Sequence, residues 1–141
     1  MTAPAPTRNP LAGLPAFRAG TDALVVAAPA KLNLFLEVVA KRPDGYHDLE
    51  SLMVGIDLFD TLELRATTKG EVELVCEPAG LSTGPDNLVH KAATALRTHT
   101  GHDLGAYVRL TKRVPMQAGL GGGSSDAAAA LAGLNEIWKL G

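Results

Sequence analysis

PMQAGLGGGSSDAAAAL, Pro115 to Leu131, decides how this chain is read. It runs from the end of an expected strand through a glycine-rich loop into an alanine-rich helix. Gly119, Gly121, Gly122 and Gly123 permit positive φ and let a ligand approach bare backbone without interference from a Cβ. Ser124 and Ser125 stand where a helix N-cap belongs, and the alanines behind them favour helix, so a closing helix is predicted over Asp126 to Lys139. The N-terminus of such a helix carries unpaired N–H groups and an effective charge of about +0.5, which suits a phosphate group. The loop is built to hold a phosphate.

Other glycine loops fit less well. A Walker A loop needs GxxxxGK[ST], and no lysine precedes Ser124 or Ser125. A dinucleotide fingerprint asks for GxGxxG, which Gly119-x-Gly121-x-x-Ser124 misses by its third glycine. It also wants an acidic ribose partner about 20 residues on, and Glu136 comes too early and inside the helix. A protein-kinase glycine loop joins two strands, whereas this one opens a helix. A flexible Gly/Ser connector has no reason to end at an N-cap followed by an uninterrupted helix.

Composition sets the frame. The 141 residues suit one domain able to bury roughly 70% of its unfolded surface. An apolar fraction of 46% with few aromatics implies an ordinary aliphatic core, and a net charge of −2 gives no footprint for nucleic acid or membrane. The single cysteine, Cys76, excludes an internal disulfide framework and fits a reducing, cytoplasmic setting; in VELVCEP it reads as a small buried hydrophobe. Residues 1–22 hold Pro4, Pro6, Pro10 and Pro15 and no apolar h-region, so a disordered tail is expected there, with the domain over 23–141.

Along the chain, Leu24–Ala28 and Lys31–Ala40 read as two strands around a break at Pro29. Leu32, Leu34, Leu36 and Val38 share one face, and Lys31, Asn33, Phe35 and Glu37 the other. Pro43-Asp44-Gly45 is a turn. Strand-like runs follow at 49–58, 61–66 and 71–77, then a loop over Gly80–Pro85. Asp86 or Asn87 can cap a helix over Leu88–Thr98, which Gly101 stops. Ala106–Val114 is an alternating strand that feeds the glycine loop, and Leu131, Leu134, Ile137 and Trp138 line the apolar side of the closing helix. This order of elements indicates an α+β domain.

PxxxGLGGGSSxAAA resembles the nucleotide-binding motif of the galactokinase, homoserine kinase, mevalonate kinase and phosphomevalonate kinase (GHMP) superfamily. PAKLNLFLEVVAKRPDGYHDLESLM, Pro29 to Met53, is similar to the opening of the branch that phosphorylates a diphosphocytidyl-linked methylerythritol in non-mevalonate isoprenoid biosynthesis. The resemblance covers about Pro29 to Gly141 and implies a ribosomal protein S5 domain 2-like fold, ATP as phosphoryl donor, Mg²⁺ arriving with it, and a small-molecule substrate. It places Pro115, Met116, Gln117, Ala118, Gly119, Leu120, Gly121, Gly122, Gly123, Ser124 and Ser125 around ATP, with Ser124 or Ser125 near the metal ion. It further implies a catalytic aspartate in a Gly-x-Asp-x-Pro-like segment beyond the closing helix. Asp126 does not substitute for it by motif, so the chain is expected to be the front half of a kinase with apolar surface left uncovered on its closing helix.

Single residues admit two readings each. Lys31 begins a strand after Pro29: alone it is a strand-end lysine in solvent, and the resemblance makes it the catalytic lysine beside the acceptor hydroxyl. Asn33, on the same strand face, is an edge-strand amide or a substrate contact. Tyr46 and His47 follow the turn; a ring stacks on a base and an imidazole bonds its edge, and the resemblance assigns them to cytosine, whereas a plain hairpin also accommodates them. Asn87 in GPDNL suits a nucleotide contact and a helix cap equally, and Lys112 suits the ATP base or phosphates and a solvated strand equally. His99 and His102 span a helix end with poor ligand geometry, so both are expected in solvent and no protein metal site is expected. An RNA-binding domain on the same fold would need a basic stripe, which is absent; a non-catalytic nucleotide-binding module and another kinase of the superfamily remain as alternatives.

Overall fold

The structure, a computed structural model, describes residues 17–19, 23–68 and 70–141. In chain order the elements are β1 (Phe17–Ala19), β2 (Ala23–Lys41), β3 (His47–Thr67), β4 (Val72–Glu77), α1 (Leu88–Thr100), β5 (Gly105–Thr111) and α2 (Gly122–Trp138). The strands form a five-stranded sheet in the order β1-β2-β3-β5-β4. All neighbours run antiparallel except β4 and β5, which are parallel. A parallel pair cannot be closed by a tight turn, and α1 supplies the crossover between them. The domain is α+β, as its sequence order implies.

Buried side chains from one face of the sheet meet the two helices. Leu62 and Leu64 on β3, Leu74 and Cys76 on β4, and Ala106, Val108 and Leu110 on β5 join Val89 and Ala93 of α1 and Ala129, Ala130, Leu134 and Trp138 of α2. Each fully buried leucine or valine contributes roughly 1.5–3 kcal/mol relative to exposure. Small residues bring α2 close to the sheet: a Cβ on Gly133 would stand 2.7 Å from Leu64 Cδ1. The indole N–H of Trp138 is buried yet satisfied, donating to the Gly105 carbonyl at 3.0 Å. Cys76 is buried, as its strand context implies.

Several sequence expectations are corrected. β2 does not break at Pro29; it runs through, and the ladder shifts register between Pro29 and Lys31, where a residue lacking an N–H is tolerated. The runs 49–58 and 61–66 are one strand, β3. Further register shifts at Asn33/Phe35 and Val38/Ala40 upset the simple alternation in β2, and both faces of this part of the β2–β3 hairpin are exposed: Leu34 is 64% accessible and Val39 61%. The uncovered apolar surface lies mainly on the hairpin, through Leu36, Val38, Leu49, Leu52 and Met53; on α2 Leu131 is exposed as expected, while Leu134 and Trp138 are buried. Of the expected disordered tail, residues 17–19 form β1 and pair with β2, while 1–16 and 20–22 lie outside the described residues. Among the described residues no helix is long and apolar enough to cross a membrane.

Candidate functional site

β5 delivers the chain to the glycine loop and α2 carries it away. Gly119 and Gly121 take positive φ, 73° and 72°, and Gln117 shares that region at 58°. Gly122 and Gly123 do not; they form the first turn of α2. The N-cap is Gly121, with no side-chain cap bond, so the expectation that Ser124 or Ser125 caps the helix is corrected: both lie inside its first turns. The physical reason is the left-handed Gly121, which starts the helix earlier than any side chain could and leaves its first N–H groups without a side-chain partner.

Beside the loop lies a cavity of about 650 Å³. It is lined by the loop residues Pro115 to Ser124 and by Leu81, Ser82, Asp86, Asn87, Leu88, Val89, Leu110, Lys112 and Asp126. Apolar Leu81, Leu88, Val89 and Leu110 beside the backbone of the glycine loop suit a ligand with a flat apolar part and an anionic tail.

Lys31 meets the loop from β2. Its amide leaves the β2–β3 ladder at the register shift and donates to the Leu120 carbonyl at 2.9 Å. Its side chain lies across the N-cap of α2: a Cβ on Gly121 would stand 3.2 Å from Lys31 Cγ and 3.3 Å from Cε. Asn87 caps α1, its Oδ1 accepting from Val89 N at 2.8 Å and its Nδ2 donating to the Ser82 carbonyl at 2.7 Å. It does so while lining the cavity.

Lys112 is neither solvated nor free. Its ammonium, on a side chain only 10% exposed, donates to Asp126 Oδ2 at 2.7 Å and to Asp60 Oδ2. Asp60 is completely buried, and its Oδ1 accepts from the amides of Arg113 and of Val114, the latter at 2.8 Å. Burial alone would raise the Asp60 carboxyl, but the bonds from Lys112, Arg113 N and Val114 N outweigh it and hold it below the usual range. Burial likewise opposes the charge on Lys112, and its two carboxylates restore it and push its pKa up. Asp126 is different: burial pushes it up to about 6 against the pull of Lys112, and Asp60 adds repulsion. Its Oδ1 is buried with no hydrogen-bond partner among the described residues.

Sequence reading missed Asp60. The signal was present: at period two, Asp60 falls in the buried row of Leu62 and Leu64, and an acid in such a row requires a cation or donors. The structure thus gathers the glycine loop, Asn87 and Lys112 around the cavity, with Lys31 packed on Gly121 of the loop though not itself among the lining residues. Asn33, Tyr46 and His47 stay outside the cavity, exposed on the hairpin; Tyr46 is 73% accessible and its amide bonds Asp44 Oδ1 within the turn. Asn33 Oδ1 accepts from Ser51 Oγ across the hairpin at 3.4 Å. His99 and His102 are exposed.

The five-stranded sheet, its two helices and the glycine loop that opens one of them have the fold of a GHMP kinase N-terminal domain. The family described as GHMP kinases N terminal domain matches residues 87–141. More particularly, the chain is similar to the 4-diphosphocytidyl-2-C-methyl-D-erythritol kinase of Synechococcus sp. (strain CC9311), 52% identical over 122 residues that make up 86% of this chain and 39% of the relative. A crystal structure of 4-(cytidine 5'-diphospho)-2C-methyl-D-erythritol kinase superposes with a TM-score of 0.68 at 38% identity, covering 81% of this chain and 40% of that one. The Methanococcus jannaschii mevalonate kinase shares the fold, with a TM-score of 0.65 at 14% identity over 85% of this chain and 42% of that one. The chain spans about two fifths of the length of the relatives it matches.

Proposed function

We propose that this chain provides the ATP-binding part of a kinase that phosphorylates the 2-hydroxyl of 4-diphosphocytidyl-2-C-methyl-D-erythritol, a step toward isoprenoid precursors. The observation that carries the proposal is the seating of Lys31 against the glycine loop, through the Leu120 carbonyl and over Gly121. The names of the 4-diphosphocytidyl-2-C-methyl-D-erythritol kinases at about half identity support the substrate class.

Phosphoryl transfer asks for fixed geometry and compensation of charge on the transferred group. The backbone N–H groups of Gly119 to Ser124 would hold the phosphates at the positive end of α2, the Ser125 amide being already donated to the Gly121 carbonyl, and Leu81, Leu88, Val89 and Leu110 with Asn87 would take the adenine. Lys31 would neutralise the γ-phosphoryl beside the acceptor hydroxyl, which Asn33 would help to orient. Tyr46 and His47, at the hairpin turn, would read the cytosine. Among the described residues no group of three or more His, Cys, Asp or Glu is placed to hold a metal ion. Mg²⁺ is commonly bound through substrate phosphates, which leaves the hydroxyls of Ser124 or Ser125 to complete its shell; bound there it would offset phosphate charge. The aspartate that orients the acceptor hydroxyl belongs, by the resemblance, beyond α2.

Titration of the chain with ATP, and of the chain joined to the remaining part of a close relative with ATP and cytidine diphosphate, tests the reading. ATP binding in both, with protection by cytidine diphosphate in the joined protein only if Tyr46 and His47 are intact, is expected. Loss of cytidine dependence would point to another small-molecule kinase of the family.

A further inference from the structure

Lys112 touches both ends of the glycine loop at once. At the near end, Asp60 takes the amides of Arg113 and Val114, the residues just before Pro115, and fixes the direction in which the chain leaves β5. At the far end, Asp126 stands in the second turn of α2 and receives Lys112 Nζ at 2.7 Å. The same ammonium donates to Asp60. Between the anchors, residues 115–119 are exposed, and the loop is held within its span by the Lys31 amide on the Leu120 carbonyl.

We infer that Asp126 is a positioning residue for the phosphate-binding loop: through Lys112 and Asp60 it ties the first turns of α2 to the end of β5. The inference rests on the proposed nucleotide site for what the loop holds, but the tie itself is a matter of geometry. Asp126 does not suit a purely stabilising role. It is buried, it competes with Asp60 for one ammonium, and one of its oxygens has no partner among the described residues. A group kept for packing alone would be better replaced by an apolar side chain of similar size. Its value lies in where it holds the helix start.

Hydrogen exchange of the chain reads the tie directly. Asp126→Ala should speed exchange of the amides at 116–124 by roughly tenfold while core amides such as Leu62 and Val108 keep their wild-type rates. Asp126→Asn, which keeps an oxygen acceptor for Lys112, should remain near wild type. If the alanine variant does not fold, Asp126→Ser, too short to reach Lys112, takes its place. Unchanged exchange in the loop overturns the inference, and so does a rise spread evenly over the chain, which marks general destabilisation. Titration with ATP completes the test: about tenfold weaker binding in Asp126→Ala, recovered in Asp126→Asn, is expected. A wild-type chain that binds no ATP would sink the nucleotide reading, and the exchange rates would still decide the tie.

Discussion

The Lys31 amide donates to the Leu120 carbonyl at 2.9 Å, so the strand that carries the candidate catalytic lysine is stitched to the loop that faces the cavity. The bond exists because β2 shifts register after Pro29 and the Lys31 N–H is turned away from β3. It is made by backbone, and therefore survives substitution of the side chain. Lys31→Ala should thus leave ATP affinity within a few-fold of wild type. In a protein joined to the rest of a relative, it should lower kcat by two orders of magnitude or more, roughly 3 kcal/mol of transition-state stabilisation. Steady-state kinetics with both substrates checks this, and near-normal turnover would remove Lys31 from the reaction.

Gly121 carries two constraints together. Its φ of 72° is unfavourable for other residues, and an added Cβ would press on the Lys31 stem at 3.2 Å. Gly121→Ala should cost about 1–2 kcal/mol in urea denaturation, from the left-handed backbone and displacement of Lys31. It should weaken ATP binding more than that stability loss alone would suggest, because both the helix start and the lysine move. Retained affinity in a stable variant would show that the loop tolerates a different path.

Asn87 caps α1 and also lines the cavity, so the cap reading holds and the nucleotide reading can be tested apart from it. Asn87→Ser keeps a side-chain acceptor for the Val89 amide, whereas Asn87→Ala does not. Alanine should destabilise α1 by about 1 kcal/mol and serine by only a few tenths. If Asn87 also contacts the nucleotide, both variants should lose ATP affinity alike, since neither retains the amide. Affinity that follows stability instead would make Asn87 a cap alone.

What could be read from the chain alone was what depends on local chemistry. The Asn87 cap, the αL stop at Gly101, the burial of Cys76 and the helical run after the glycine loop all follow from residue type and spacing. The continuity of β2 was hidden because proline normally argues against a strand interior, and only the partner strand reveals a register shift that absorbs it. The helix start at Gly121 was hidden because serine is the better cap by preference, while backbone conformation settled the matter. Lys112 was the largest gap: its partners stand 52 and 14 residues away in sequence. Only Asp60, sharing its buried row with Leu62 and Leu64, gave a local hint that a cation was needed.

Acidity provides the last prediction. The Asp126 carboxyl is pushed up to about 6 by burial, from an ordinary 3.8, despite Lys112. Lys112 and Asp60 face it directly, and the Cys76 thiol of β4 feels its charge and is itself pushed up, chiefly by burial. A carboxyl with a raised folded-state pKa binds its proton more tightly in the folded chain than in the unfolded one, so its ionisation weakens the fold as pH rises from about 4 to 6. Asp60, held below its ordinary value, acts in the opposite sense: its contribution is present above about 4 and is lost only under stronger acid. Comparison with Asp126→Asn isolates the first effect. The melting temperature of the wild type, minus that of Asp126→Asn, should rise as pH is lowered from 7 to 4.5 and stay flat above 7. A difference that is constant across this window would mean that Asp126 titrates alike in the folded and unfolded chains, and that Lys112 fully compensates its burial.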